Sequence, residues 1–312
     1  MKLKQLYQER AERFEENAQT LRAKYIRFSV IRLLLFVVGV GLIIYIFTFS
    51  AIAGSLAILV FLLAFAKFVK WHLEVQRNQY HNQQLSTLNT YEIAALKNDY
   101  SNFQDGQTFQ DVNHPYSIDL DIFGPFSFFQ YCNRTSTSIG QSCLAEYLTI
   151  PTNKNEILLR QTSVNELQEK LDWRQNFQAL GLAAEDQIDH VELLKNWLKD
   201  PPFVSCNKGY QLAILLMSLW VIFGIIATIL WVPWQIGILC LIIPAYFIRT
   251  TLEQVNDTHL RTTNAEKMLA VYGRLIGHIE SEDFECKKLH DLKSVFTKDD
   301  KSASQSIRRL SY

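Results

Sequence analysis

The chain has 312 residues, with 31 basic side chains balanced by 31 acidic ones, and five cysteines. That length holds one large domain or two ordinary ones, and the even charge argues against a protein that is basic throughout. Cys132, Cys143, Cys206, Cys240 and Cys286 are scattered, odd in number and without a CxxC pair, which argues against a disulfide framework or a zinc knuckle and for free thiols in a reducing compartment.

In chain order, residues 1–30 come first and read as a cytoplasmic amphipathic helix. Tyr7, Ala11, Phe14, Ala18, Leu21, Tyr25 and Phe28 recur at 4-3-4-3 spacing, the heptad pattern of a helix packing along a partner helix. Gly and Pro are absent through residue 38, so one helix can continue into the apolar block that follows.

Residues 31–69 form the first predicted transmembrane hairpin. No Asp, Glu, Lys or Arg occurs between 33 and 66, and Leu33–Phe49 alone carries thirteen Leu, Ile, Val or Phe residues. At about −0.3 to −0.6 kcal/mol each near mid-bilayer, these favour insertion by several kcal/mol. Ser50, Gly54 and Ser55 are the only small turn residues, so the linker is short and the two spans run antiparallel. The charged stretch ahead of the block and the second span behind it argue against a cleaved signal.

Residues 70–104 read as a helical stalk with Leu73, Tyr80, Leu88 and Tyr91 on its apolar face, ending near Ser101 and the Asp105-Gly106 turn. Residues 105–208 read as a helical cytoplasmic domain. A short extended piece over Tyr116–Phe123, alternating apolar and polar, is broken by Gly124-Pro125. Helices are expected at 126–132, 138–149, 154–179 and 185–199, closed by Pro201-Pro202. Residues 209–249 give a second charge-free hairpin that turns at Trp231-Val-Pro-Trp-Gln235, with Pro244 kinking the return. Residues 250–312 are again helical, led by Leu252, Val255, Met268, Leu269, Tyr272, Leu275, Ile276 and Ile279 across 250–293.

Basic residues flank both hairpins: Arg22, Lys24, Arg27 and Arg32 before the first, Lys67, Lys70 and Arg77 after it, Lys195, Lys199 and Lys208 before the second, Arg249 and Arg261 after it. The positive-inside rule then places both termini and residues 70–210 in the cytoplasm, as in a multi-pass protein of the inner (cell) membrane. Lipid is the first expected partner, and the basic flanks suit anionic headgroups. The heptad seam calls for a protein partner, a second copy of the chain or the neighbouring stalk helix. Neither hairpin has an ionisable residue at mid-depth, so both read as anchors rather than a transport path.

The most distinctive stretch is 117–171. It contains Leu120, the turn Asn133-Arg-Thr-Ser-Thr137, Gly140, Leu144, Tyr147-Leu148, Pro151, Arg160-Gln161, Val164 and Leu167, and Trp173-Arg-Gln175 extends it. This ordered set resembles the opening of the core (lever) domain of MutS-family DNA mismatch-repair ATPases. The likeness implies DNA as a partner and a role in mismatch repair or a related DNA transaction. It also implies ATP and Mg, but only in a domain beyond residue 312, because none of the twelve glycines belongs to a GxxxxGK[ST] phosphate loop and Lys208-Gly209 has the order reversed. Phe14-Glu15-Glu16 matches the family's mismatch-reading wedge only nominally, inside the heptad seam.

These residues read as scaffold. Thr135 and Thr137 are placed to cap the helix near Ile139, Gly140 allows close helix contact, and Leu144, Tyr147 and Leu148 share an apolar face. Pro151 ends that helix, and Ile157, Val164, Leu167 and Leu171 face inward beside Arg160. Asp119-Leu-Asp121 is a bare DxD without further oxygen ligands, the seven histidines never reach metal spacing, and Arg308-Arg309 is too little for a phosphate site. No catalytic, cofactor or metal residues are expected in this chain. The fold class expected is mostly α: four transmembrane helices in two hairpins, a coiled helical stalk and a helical MutS-core-like domain. A membrane scaffold recruiting protein partners, without a DNA role, is the alternative.

Overall fold

A computed structural model describes residues 2–182, 208–230, 244–246, 249, 266, 268–297 and 302–310. It is mostly helical, and no strand occurs among the described residues. The two opening helices, α1 (Lys2–Phe47) and α2 (Ala51–Ala95), are each roughly 70 Å long at 1.5 Å per residue. Then come α3 (Phe128–Cys132), α4 (Ser138–Thr149), α5 (Lys154–Glu169), α6 (Leu171–Leu182), α7 (Lys208–Leu230), a helical stretch at 268–280, α8 (Lys287–Ser294) and α9 (Ala303–Leu310). They fall in two compact units. One holds α1 to α6 with α8, and the other holds α7, the 268–280 stretch and α9.

α1 runs unbroken from the charged N-terminal segment into the apolar block, as the lack of Gly and Pro allows. Every seam residue from Tyr7 to Phe28 is buried or half-buried while most of its neighbours are exposed. The partner is α2, which returns antiparallel after a turn at Thr48–Ser50. There Ser50 caps α2, its hydroxyl accepting from the Ala53 N–H at 3.4 Å. The covered face of α2 passes through Gly54, Ala57, Phe61, Phe65, Phe68, His72, Val75, Gln79 and Asn82. Two residues assigned to the stalk face by size stand elsewhere: Leu73 and Tyr80 are 48% and 41% exposed. Toward the stalk the contact row takes His72, Val75, Gln79 and Asn82 in place of large apolar residues.

Both long helices are apolar enough to cross a membrane, and none of the most apolar window of α1 is buried. The two helices of the hairpin touch through small residues. A side chain at Gly39 would collide with the Phe61 ring, and one at Gly54 with Phe47. Close approach at small residues is how helices associate where lipid supplies no hydrophobic drive. Where a second hairpin is expected, α7 is apolar over Leu212–Gly224, a shorter run than those of α1 and α2. Its predicted turn at 231–235 and most of the return lie outside the described residues, as do the helix at 185–199, Pro201-Pro202, Leu252 and Val255.

Beyond α2 the chain builds a small core. Ile122, Phe123, Phe129 and Ala145 are buried together, with Phe109, Tyr116, Leu144 and Leu148 packed against them. The expected extended piece at Tyr116–Phe123 is instead a series of turns. Leu120 N–H donates to Tyr116 O, Asp121 N–H to Ile118 O and Ile122 N–H to Ser117 O, with Asp121 at φ 46°. The burial does not follow the alternation: the turns send the adjacent Ile122 and Phe123 into the core while Ile118 and Leu120 stay outside.

The single helix expected over 154–179 is divided at Lys170 into α5 and α6. Similarly, the helix expected over 250–293 stops at residue 280 and resumes only as α8. In the second unit, Met268, Val271 and Leu275 are buried. The Glu280 carboxylate accepts from the Ser302 and Ser304 hydroxyls and the Ser304 N–H at the start of α9.

Candidate functional site at the stalk and core junction

The turn Asn133–Thr137 links α3 to α4, and each side chain in it has a separate task. Asn133 is buried; its amide donates to Gln104 O at 3.0 Å and its oxygen accepts from the N–H and hydroxyl of Thr135. Thr137 alone caps α4, its hydroxyl accepting from the Gly140 N–H at 3.1 Å. Thr135 was the other expected cap, but its hydroxyl is taken by Asn133. Gly140 makes no close helix contact: the atoms nearest a side chain there belong to Thr137 and Thr135 of the cap itself. Ser136 is buried against Gly181 of α6, where a side chain would strike the Ser136 hydroxyl.

Arg134 joins this turn to the stalk. Its Nε and Nη2 donate to the two carboxylate oxygens of Glu92 on α2 at 2.6 and 3.1 Å. The guanidinium lies 3.7 Å over the Phe103 ring, and Nη1 donates to the carbonyls of Tyr131 and Asn133. A planar fork is needed to make the paired bonds and the stack together.

A second tie connects α6 to both stalk helices. Gln175 exchanges hydrogen bonds with Asn89 of α2 and accepts from Arg10 of α1 at 2.8 Å, while Arg10 also donates to Asp172 at 2.7 Å. Arg10, Asn89 and Gln175 are all buried, and Asn89 is fully so. Leu85, Leu88 and Ala179 form a buried apolar cluster on the same two helices, α2 and α6, with Phe14 and Leu182 packed against it. Tyr7 lies near this tie, and burial, followed by the Glu92 charge, pushes its hydroxyl pKa up despite nearby arginines.

The later motif residues hold α8. Arg160 stacks 3.6 Å over Tyr147 and donates to Glu156, which also accepts from Lys288. Glu166 accepts from the N–H groups of Cys286 and Glu285 at the start of α8. Lys170 donates to Glu282 at 2.5 Å, and Trp173 meets Phe284 edge-on at 5.4 Å. Ile157 and Val164, expected to face inward, are 43% and 62% exposed, because α5 turns its polar side to α8.

Proton transfer at neutral pH calls for groups whose pKa values are moved toward 7. The shifts here run the other way. Burial pushes the Cys132 thiol up, and burial with Cys143 raises Tyr147. Burial alone would raise Glu166, but the N–H groups of Cys286 and Glu285 hold it below the usual carboxylate range. Hydrogen bonds from Lys288 and Arg160 hold Glu156 low. Among the described residues no three His, Cys, Asp or Glu side chains gather as a metal set, and Asp119 and Asp121 sit on the turns outside α3.

Set against known families, curated proteins and solved structures, the chain matches none of them. The junction therefore has to be judged on its own chemistry. Its polar side chains are spent on one another and on backbone groups, which makes it a brace between a helical module and a long hairpin. Sequence reasoning missed Glu92, Asn89 and Arg10, whose partners lie 42 to 165 residues away.

Proposed function

We propose that the chain is a membrane-anchored MutS-like protein whose core-like module, mounted on the α1–α2 stalk, serves a DNA transaction. In this reading the hairpin at 209–249 completes four spans, both termini are cytoplasmic, and residues 1–312 carry no ATP-binding motor. One observation supports it above the rest: the stretch bearing the family likeness folds as one braced unit, tied by Arg134 to Glu92 on a helix apolar enough to enter a membrane.

The test is a mobility-shift assay of the purified full chain with duplex DNA across a salt series. Binding that falls steeply with salt supports DNA contact, because released counterions set the slope. Absence of binding even at low salt removes the DNA role. ATP turnover by residues 1–312 would overturn the motor-free reading, and a tag at residue 150 reached from outside the cell would overturn the topology.

The scaffold reading has an observation of its own. Phe126, Phe128 and Tyr131 stand 82%, 52% and 52% exposed near one another, with Phe126 at φ 61°. Exposed aromatic side chains of this kind suit protein contact better than a phosphate backbone. Failure of DNA binding together with capture of a defined partner, lost in Phe126→Ser, would favour it.

A further inference from the structure

From Asn17 to Leu73 the chain has no Asp or Glu, yet it carries Arg22, Lys24, Arg27, Arg32, Lys67 and Lys70, with Arg77 one turn beyond. The fold brings these residues to the same levels. Tyr25 stacks on His72 at 4.5 Å, Phe28 meets Phe68 and Trp71 at 5.8 and 5.1 Å, and Phe36 meets Phe65 at 6.0 Å. In an antiparallel pair this register sets Arg32 level with Lys67, Arg27 with Lys70, and Arg22 with Arg77. The cations form three tiers at the end of the apolar hairpin.

None of them forms an ion pair with a described residue, and all but the half-buried Arg32 are exposed. Trp71 is 58% exposed within the same tiers, as suits an amphipathic ring at headgroup depth. The charge-free helical runs 33–47 and 51–66 rise only about 23 Å each, less than a ~30 Å hydrocarbon layer. The innermost tier is thereby drawn down to the headgroups, its long stems reaching outward.

We propose that this collar is a binding surface for anionic phospholipid headgroups, selecting negatively charged lipid around the α1–α2 hairpin. The inference rests on the hairpin being membrane-embedded and goes beyond it by naming the lipid class and the side chains. Unpaired cations in three tiers outnumber Glu74, the one carboxylate between Lys70 and Arg77, and so complement a phosphate-bearing surface, and an aromatic ring fixes the depth.

The experiment uses the full chain in detergent micelles, exposed to an equimolar mixture of phosphatidylglycerol and phosphatidylcholine and examined by native mass spectrometry. Phosphatidylglycerol should be retained on the order of tenfold over phosphatidylcholine, with the preference shrinking as salt rises. The variant Arg22→Gln, Lys24→Gln, Arg27→Gln, Lys70→Gln, Arg77→Gln keeps the Arg32 and Lys67 flanks and should lose most of the preference, down to about twofold. Alkaline extraction of membranes from expressing cells separates the two ideas. A chain released into the wash fails the embedding itself. A chain that stays embedded but shows no preference, or an unaltered preference in the variant, overturns the collar alone. Displacement of phosphatidylglycerol by equimolar duplex DNA would also overturn it, in favour of a nucleic-acid surface.

Discussion

The same two helices are joined in different ways along their length. In the half toward the N-terminus of α1, large apolar residues fill a heptad seam and buried hydrogen bonds cross it, with Ser86 donating to Ala11 O and Gln175 bridging Arg10 and Asn89. In the apolar half, the contacts are ring against glycine and ring against ring, as at Gly39–Phe61 and Phe36–Phe65. The difference follows from the surroundings each half suits. In water, burying a seam is favourable and polar ties add specificity; in lipid, only close packing distinguishes a neighbouring helix from an acyl chain.

Asn89→Leu should have the largest effect and breaks the first half alone. It removes the bonds to Leu85 O and Gln175 and strands the buried Gln175 amide, at a cost of about 3 kcal/mol. Limited proteolysis of the detergent-solubilised chain should release α6 while the hairpin persists. Unchanged protection of both halves would show that the tie is dispensable.

Gly39→Val tests the second half. The new side chain meets Phe61, and overpacking of this kind costs about 2 kcal/mol. Phe61→Ala should restore the hairpin in the double variant, whereas it should do nothing for Asn89→Leu. Cysteine crosslinking across the hairpin reads the outcome, and failure of the rescue would mean that the ring is not the obstacle.

Arg134→Lys should cost about 1 kcal/mol, since an ammonium cannot make both bonds to Glu92 and lie flat on Phe103. Thermal unfolding of the variant against the parent measures it. A loss no smaller than that of Arg134→Ala would be expected from these contacts only if the planar fork carries nearly all of the attachment.

How much of this was legible in advance depends on distance along the chain. The α1 seam was readable because its repeat lies within one helix, and the Thr137 cap because it acts three residues away. The covered face of α2 was not, since it runs through Gly54, His72, Gln79 and Asn82, which no count of large apolar residues selects. Lys170 carries no Gly or Pro to announce the break between α5 and α6; the ion pair with Glu282, 112 residues on, accompanies it. The polar brace was invisible for the same reason, being assembled from α1, α2 and α6.

The smallest expected effect lies where the two halves meet. His72 is 2% exposed, stacked on Tyr25, and its Nδ1 has no hydrogen-bond partner. Burial and then the Arg32 charge hold its pKa below the ordinary 6.5, so the packed stalk favours the neutral ring. Above pH 6.5 the ring is neutral whether or not the helices are packed, and it contributes no pH dependence. Below that, the separated chain takes up a proton that the packed one refuses, and packing weakens until the lowered pKa is passed. The depressed carboxylates Glu156 and Glu166 act in a lower window, losing their contribution only as pH falls past the usual 4.5. Between pH 7.5 and 5.5, therefore, the parent should lose thermal stability on acidification and His72→Phe, which keeps the stack without the proton, should lose less. Equal slopes would mean that water reaches His72 and that the seam opens beside it.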